Sequence, residues 1–327
     1  MIYQPEMQQV RNAVQRYGSG GDKSLECIGW TVNKKALADF KVYRFYRSGI
    51  CIPPAEAEAP ALKSALKRLA EIEERKKFRI FDFSIRMSGE KTFLRYTIRM
   101  NCGIPIEQYR SNYSELLSLL PELSPSGCAA AITRCIEAAI SSQRGSLIIL
   151  GAEVEKNSRL AAAKSYYSLR KYESYYDPRF ILPDTAVLEE LLRNIFDICG
   201  IGQEEQHFMC KKLQKAAALG YYPFMMGLTE QDDSIQCKVY CLLRPYERYS
   251  ASLPLHTAKL LKSVINAGES AEGDLVRELC EMERLGLYLK GFAVSASNLQ
   301  KNDEEYKIYF MPKPQGAVGD RDIQSVL

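Results

Sequence analysis

Five times along this chain two strand-like runs stand close together, each pair separated from the next by sequence with helical periodicity. The pairs are LECIGWTV with DFKVYRFYR, RIFDFSIRM with TFLRYTIRM, SLIILGAEVE with RLAAAKSYYSL, YYPFMMGLTE with IQCKVYCLL, and LYLKGFAVSAS with EEYKIYFMP. Their short polar joints, such as SGEK and QDDS, are turn chemistry. Joints this short permit only antiparallel pairing, because a parallel connection needs a crossover of a dozen residues or more. An α+β fold built from hairpins follows, and a parallel βαβ sheet does not.

The helical periods fall near Pro5–Tyr17, Ala61–Lys77, Ile106–Leu120, Gly127–Ser142, Asp184–Cys199, Gln203–Leu219, Leu255–Asn266 and Glu272–Leu285. The unit recurs roughly every 70 residues, longer than the periods of common solenoids. Ten antiparallel strands either leave two exposed edges or close on themselves. Closure lets the helices sheathe the outside and frees the interior to be polar. We therefore expect one domain over 1–327: a closed ten-stranded antiparallel barrel of five hairpin repeats inside a ring of helices. It begins with a helix at about 5–17 and ends in a frayed tail at about 315–327.

The second strands share a motif. Lys41-Val42-Tyr43, Lys164-Ser165-Tyr166, Lys238-Val239-Tyr240 and Lys307-Ile308-Tyr309 stand at the same place in pairs one, three, four and five. Pair two has Arg95 with Thr97. With 22 lysines and 20 tyrosines in 327 residues, random placement gives only about 1.3 such triplets. Side chains two residues apart share one face of a strand. In pair two that face carries Asp82, Ser84 and Arg86 with Arg95, Thr97 and Arg99, and the other face is apolar. The apolar face suits the helices, so the polar face points into the lumen.

Basic side chains converging there repel one another and are costly to desolvate unless a multiply charged anion sits among them. A diphosphate fits, held by charge-assisted hydrogen bonds. Tyrosines two residues along add a layer of electron-rich faces, which stabilise a cation. Anion and cation side by side describe ionisation of an allylic diphosphate, with rings that also exclude water.

These units resemble the aromatic prenyltransferases of the ABBA (αββα) barrel fold, closest in AAAKSYYSL, YYPFMMGLTEQDDSIQCKVYCLL and GFAVSASNLQKNDEEYKIYF. The resemblance spans about Leu25 to Pro312. It implies transfer of a prenyl group, most often dimethylallyl, to an electron-rich acceptor such as an indole, a phenol or a peptide Trp or Tyr. It carries diphosphate binding to Lys41, Arg95, Lys164, Lys238 and Lys307, and a carbocation shield to Tyr43, Tyr166, Tyr240 and Tyr309. Pair two departs from it with Thr97 at the shield position. The catalytic base of related indole enzymes corresponds to Glu26, with Glu153, Glu155 and Asp82 as competing carboxylates. Strand alternation puts Trp30 on the Glu26 face, where it either stacks on an acceptor or is core. No cofactor is required by this scheme, and Mg²⁺ is allowed but not demanded.

Other chemistries find little support. Asp232-Asp233 precedes Ser-Ile-Gln, so no D-D-x-x-D carboxylate motif forms, and no glycine-rich phosphate loop is present. Ten cysteines without a C-x-x-C pair and two histidines, His207 and His256, offer no zinc spacing. A net charge of +4 does not point to nucleic acid. No apolar run reaches the roughly 20 residues of a membrane span. The opening MIYQPEMQQV lacks a signal pattern, so a cytoplasmic location is expected. The aromatic KYESYYDPRF segment suits a barrel mouth or a packed surface loop. Two non-enzymatic readings remain: a barrel that binds a phosphorylated small molecule, which would need the basic layer but not the tyrosines, and an open, solvated scaffold sheet.

Overall fold

A computed structural model of the chain describes residues 8, 11, 12, 15, 23–32, 37–46, 64, 67, 68, 71, 75, 81–88, 91–99, 111, 114, 115, 117, 118, 120–123, 129–142, 148–155, 160–169, 185–218, 221–231, 234–243, 280–282, 284–297 and 306–312. The strands are β1 (Lys23–Val32), β2 (Leu37–Tyr46), β3 (Phe81–Ser88), β4 (Lys91–Arg99), β5 (Ile148–Glu155), β6 (Leu160–Ser168), β7 (Tyr221–Gln231), β8 (Ser234–Leu243), β9 (Leu287–Ser297) and β10 (Tyr306–Pro312). The helices are α1 (Leu120–Leu123), α2 (Ala129–Ser141), α3 (Thr185–Ile198) and α4 (Gln203–Ala218).

All five expected hairpins form, and the fold is α+β with a barrel-like antiparallel sheet. Strands β6, β7, β8, β9, β10 and β1 follow one another as a curled half-barrel. Its helix-facing surface is buried and largely apolar, with Tyr167, Met226, Val239, Phe292, Ile308 and Phe310 all nearly inaccessible and Ser165 and Glu230 buried among them. These residues alternate with the lysines and tyrosines, as a period of two requires. Tyr221 and Phe292 meet edge-on at 5.5 Å between centroids, and the Tyr167 hydroxyl donates to Met226 Sδ at 2.7 Å. Helix α4 lies across β7 and β9, burying Met209, Leu213 and Ala216 on one stripe. The stem of Lys212 joins that stripe, its Nζ 5.0 Å from the centre of the Phe208 ring.

Helix α2 buries Ile132, Cys135, Ile136 and Ala139, a 3–4–7 stripe that packs on α3. Helix α3 ends at a left-handed glycine, Gly200 with φ +68°. The Ile201 amide donates back to the Phe196 carbonyl at 2.8 Å, so an otherwise orphaned carbonyl is satisfied. One boundary differs from expectation. Beyond a turn at Ser118 the short helix α1 spans Leu120–Leu123 and accommodates Pro121, which falls in its first turn, where no amide hydrogen is needed. Gln8, Arg11, Asn12 and Gln15 are helical and exposed at one-face spacing, and Arg11 bonds Glu281 at 2.6 Å. Ser64, Lys67, Arg68, Glu71 and Arg75 repeat that pattern. The Leu255–Asn266 helix lies outside the described residues, as do most of Glu272–Leu285 and the tail.

Four thiols sit behind the sheet. Cys135 Sγ lies 3.5 Å from Cys199 Sγ, and Cys237 and Cys241 occupy the helix-facing side of β8. The Cys199 contact, then burial, pushes the Cys135 thiol up, and burial alone does so for Cys241. Burial leads for Cys237 as well. A raised pKa leaves little thiolate, and thiolate is the reactive form. Native protein alkylated with iodoacetamide at pH 8 should therefore keep Cys135, Cys237 and Cys241 unmodified until denaturant is added. Mass-spectrometric labelling of them within minutes under native conditions would mean this face is open.

Candidate functional site: a lysine layer beside a tyrosine layer

The pairing register places every Lys-x-Tyr motif on one side of the sheet. Lys164 lies opposite Gly151 and Thr229, and Tyr166 opposite Gly227. Lys238 lies opposite Gly227 and Ser295, and Tyr240 opposite Met225 and Ala293. Lys307 pairs with Ala293 and Thr31, and Tyr309 with Gly291 and Gly29. Gly29 then faces Lys41, and Cys27 faces Tyr43. On β4, Arg95 is opposite Ser84 and Glu153, and Thr97 is opposite Asp82. The five basic positions and four tyrosine positions thus share one register set.

Three of these motifs enclose their lysines tightly. Lys164, Lys238 and Lys307 are 7%, 6% and 8% exposed, on the side of the sheet away from the helices. Three ammonium groups are thus enclosed in one layer, where solvent screens them less than at a surface. The Ser295 hydroxyl, opposite Lys238, is buried and has no hydrogen-bond partner among the described residues. Beside the lysines the rings of Tyr166 and Tyr240 lie 5.9 Å apart, and those of Tyr240 and Tyr309 5.7 Å apart. Their parent strands are second neighbours, separated by two strand spacings or about 9.6 Å. Rings closer than their backbones lean toward one another across the strand between them, and this fits a sheet that curls toward the lysine–tyrosine side.

One feature escaped the periodicity. The first strand of three hairpins carries a register irregularity beside its tyrosine: Glu26 in β1, Phe224 in β7 and Lys290 in β9. A bulge adds one residue to a strand and breaks alternation locally. Phe224 shows the result, its ring 6.5 Å from that of Tyr240 and roughly perpendicular to it. The aromatic layer therefore has a member that strict alternation puts on the other side. Pro223, mid-strand, was the available signal, since proline within a strand marks an edge or a bulge.

The same irregularity corrects the reading of Trp30. Trp30 pairs with Ile308 and Phe40, one residue out of step with Lys307. It belongs to the helix-facing register set, and the irregularity at Glu26 uncouples the two. Glu153 and Asp82 hold paired positions in the lysine set, as does Glu155 opposite Phe93. His207 is exposed on α4. His256, Asp232, Asp233 and the KYESYYDPRF segment lie outside the described residues, although Gln231 and Ser234 pair on either side of the two aspartates.

Among the described residues, no group of three or more His, Cys, Asp or Glu is placed to hold a metal ion, and no helix is long and apolar enough to cross a membrane. No protein-family model matches the chain, and no curated protein does.

Proposed function

We propose that this protein is an aromatic prenyltransferase. It moves a prenyl group, dimethylallyl first among them, from its diphosphate to an electron-rich aromatic acceptor such as an indole, a phenol or a peptide Trp or Tyr. One observation carries the reading: three enclosed lysines adjoin a row of three tyrosines, in which Tyr240 meets both Tyr166 and Tyr309, on the concave side of a curled sheet. We further propose that the sheet closes as a ten-stranded barrel of the ABBA type, with Lys41, Arg95 and Tyr43 completing the two layers. Continuation of the register from β1 through β2, β3, β4 and β5 to β6 supports this.

In this reading Lys164, Lys238 and Lys307 bind the diphosphate oxygens, joined by Lys41 and Arg95. The allylic C–O bond breaks and its electron pair leaves with the diphosphate. Tyr166, Tyr240 and Tyr309 line the cation and keep water from it. An acceptor ring carbon supplies the pair for the new bond, and the ring proton passes to a carboxylate. Glu26, Glu153, Glu155 and Asp82 are the candidates for that base. The balance is donor plus arene to prenylated arene, diphosphate and a proton. No metal is needed for the lysines to offset the diphosphate charge, and Mg²⁺ remains compatible with it. A cytoplasmic location, where such donors are soluble substrates, belongs to the same reading.

Incubation with dimethylallyl diphosphate and a panel of indoles, phenols and short Tyr or Trp peptides tests this by mass spectrometry. A prenylated product supports it. No product, together with no diphosphate binding by calorimetry, would leave a non-catalytic protein. Tyr240→Phe keeps the aromatic face and should lower kcat by less than about tenfold, an effect of about 1.4 kcal/mol at most. A loss as large as that caused by removing Lys238 would show that the hydroxyl, not the ring, carries the role.

A further inference from the structure

Tyr166 stands on β6 and Tyr240 on β8, and β7 runs between them. For their rings to meet at 5.9 Å, both must lean across β7. The residue beneath them is Gly227, directly opposite Tyr166 and two residues along β7 from Met225, the partner of Tyr240. A Cβ at Gly227 would lie 2.8 Å from Tyr166 Cδ1 and Cε1 and 3.0 Å from Tyr240 Cε2. Carbon atoms in contact sit about 3.5–4.0 Å apart, so one methyl group would displace both rings. Glycine is not here for its backbone freedom, because Gly227 lies in a regularly paired stretch of β7. It is here for its missing side chain, at a strand position where glycine otherwise weakens the sheet.

The neighbouring first strands repeat the arrangement. Gly291 and Gly29 flank Tyr309, and Ala293 faces Tyr240. Second strands carry the rings, and at Gly227, Gly291 and Gly29 the first strands offer positions without side chains beneath or beside them. We infer that Gly227 is the positioning residue that closes the tyrosine layer: its lack of a side chain brings Tyr166 and Tyr240 into contact and so seals the cation from water. This deepens the prenyltransferase reading and rests on it.

The test is Gly227→Ala, with two readouts. In the crystal structure of the variant, the Tyr166–Tyr240 separation should widen beyond 5.9 Å. In turnover, the cation should be captured more often by water, giving prenol plus a proton in place of prenylated arene. The ratio of prenol to prenylated product should rise several-fold while the donor KM stays within about twofold. Loss of folded enzyme alone would lower both products equally and leave their ratio unchanged. If Gly227→Ala does not fold, the double variant Tyr166→Leu/Gly227→Ala settles the point. With one ring gone the methyl has room, so the double variant should fold and match Tyr166→Leu in its product ratio. Unchanged ring spacing and an unchanged ratio in Gly227→Ala, or a double variant that also fails to fold, would overturn the inference. Should the wild type form neither prenylated product nor prenol, the prenyltransferase reading fails, and ring spacing in the variants still decides the positioning claim.

Discussion

Lys238→Ala should raise the donor KM by roughly ten- to a hundred-fold and leave the protein folded. The estimate follows from a hydrogen bond to a charged group, about 1.5–3 kcal/mol, at about 1.4 kcal/mol per decade. Lys238 is suited to an effect of this size because it is enclosed, so solvent screens its charge poorly. Removing it also lessens repulsion within the basic layer, which offsets stability lost with its own contacts. The melting temperature should therefore move by only a few degrees. A lysine that merely holds the fold would behave in the opposite way, with a large drop in melting temperature and an unchanged KM for whatever enzyme remained folded. Isothermal titration with inorganic diphosphate reads the binding term without turnover and should weaken in parallel.

Phe292→Ala should cost about 3–5 kcal/mol of unfolding free energy, the range for deleting a large buried ring. Phe292 is 1% exposed on the helix-facing side of β9 and meets Tyr221 edge-on, so nothing can relax into the space without breaking that contact. Its effect should fall on stability alone, because its neighbours Gly291 and Ala293 hold the concave positions. Denaturant titration followed by circular dichroism measures the loss, and diphosphate binding by the folded variant should match the wild type within about twofold. A loss below about 1 kcal/mol would mean the helices do not pack there. Together the two substitutions separate the faces of the sheet: one removes binding without unfolding, the other unfolds without touching binding.

The hairpins were legible because a strand with one apolar and one polar face writes a period of two, as the sequence does from Phe81 to Met87 and from Leu94 to Ile98. The lysine and tyrosine layers were legible for the same reason, since residues two apart share a face and the motif recurs once per hairpin. What alternation could not reveal is where it breaks. One inserted residue changes neither composition nor propensity, so alternation put Trp30 on the Glu26 face and gave no sign that Phe224 joins the tyrosines. The glycines were visible but silent. Gly227 inside a strand signals a close approach of something, and only the packed structure names Tyr166 and Tyr240 as what approaches. The Pro121 boundary failed in the other direction, because a proline reads as a helix stop in sequence yet serves as a helix start when it falls in the first turn.

The central claim is that one concave surface binds both ends of an allylic diphosphate, and a crystal soaked with a thiolodiphosphate analogue of dimethylallyl diphosphate tests it most directly. The analogue resists ionisation and so stays intact in the site. Diphosphate density is expected among Lys164, Lys238 and Lys307, with the five-carbon tail against the rings of Tyr166, Tyr240 and Tyr309. Diphosphate bound elsewhere, or bound there with its tail turned away from the three rings, would contradict it.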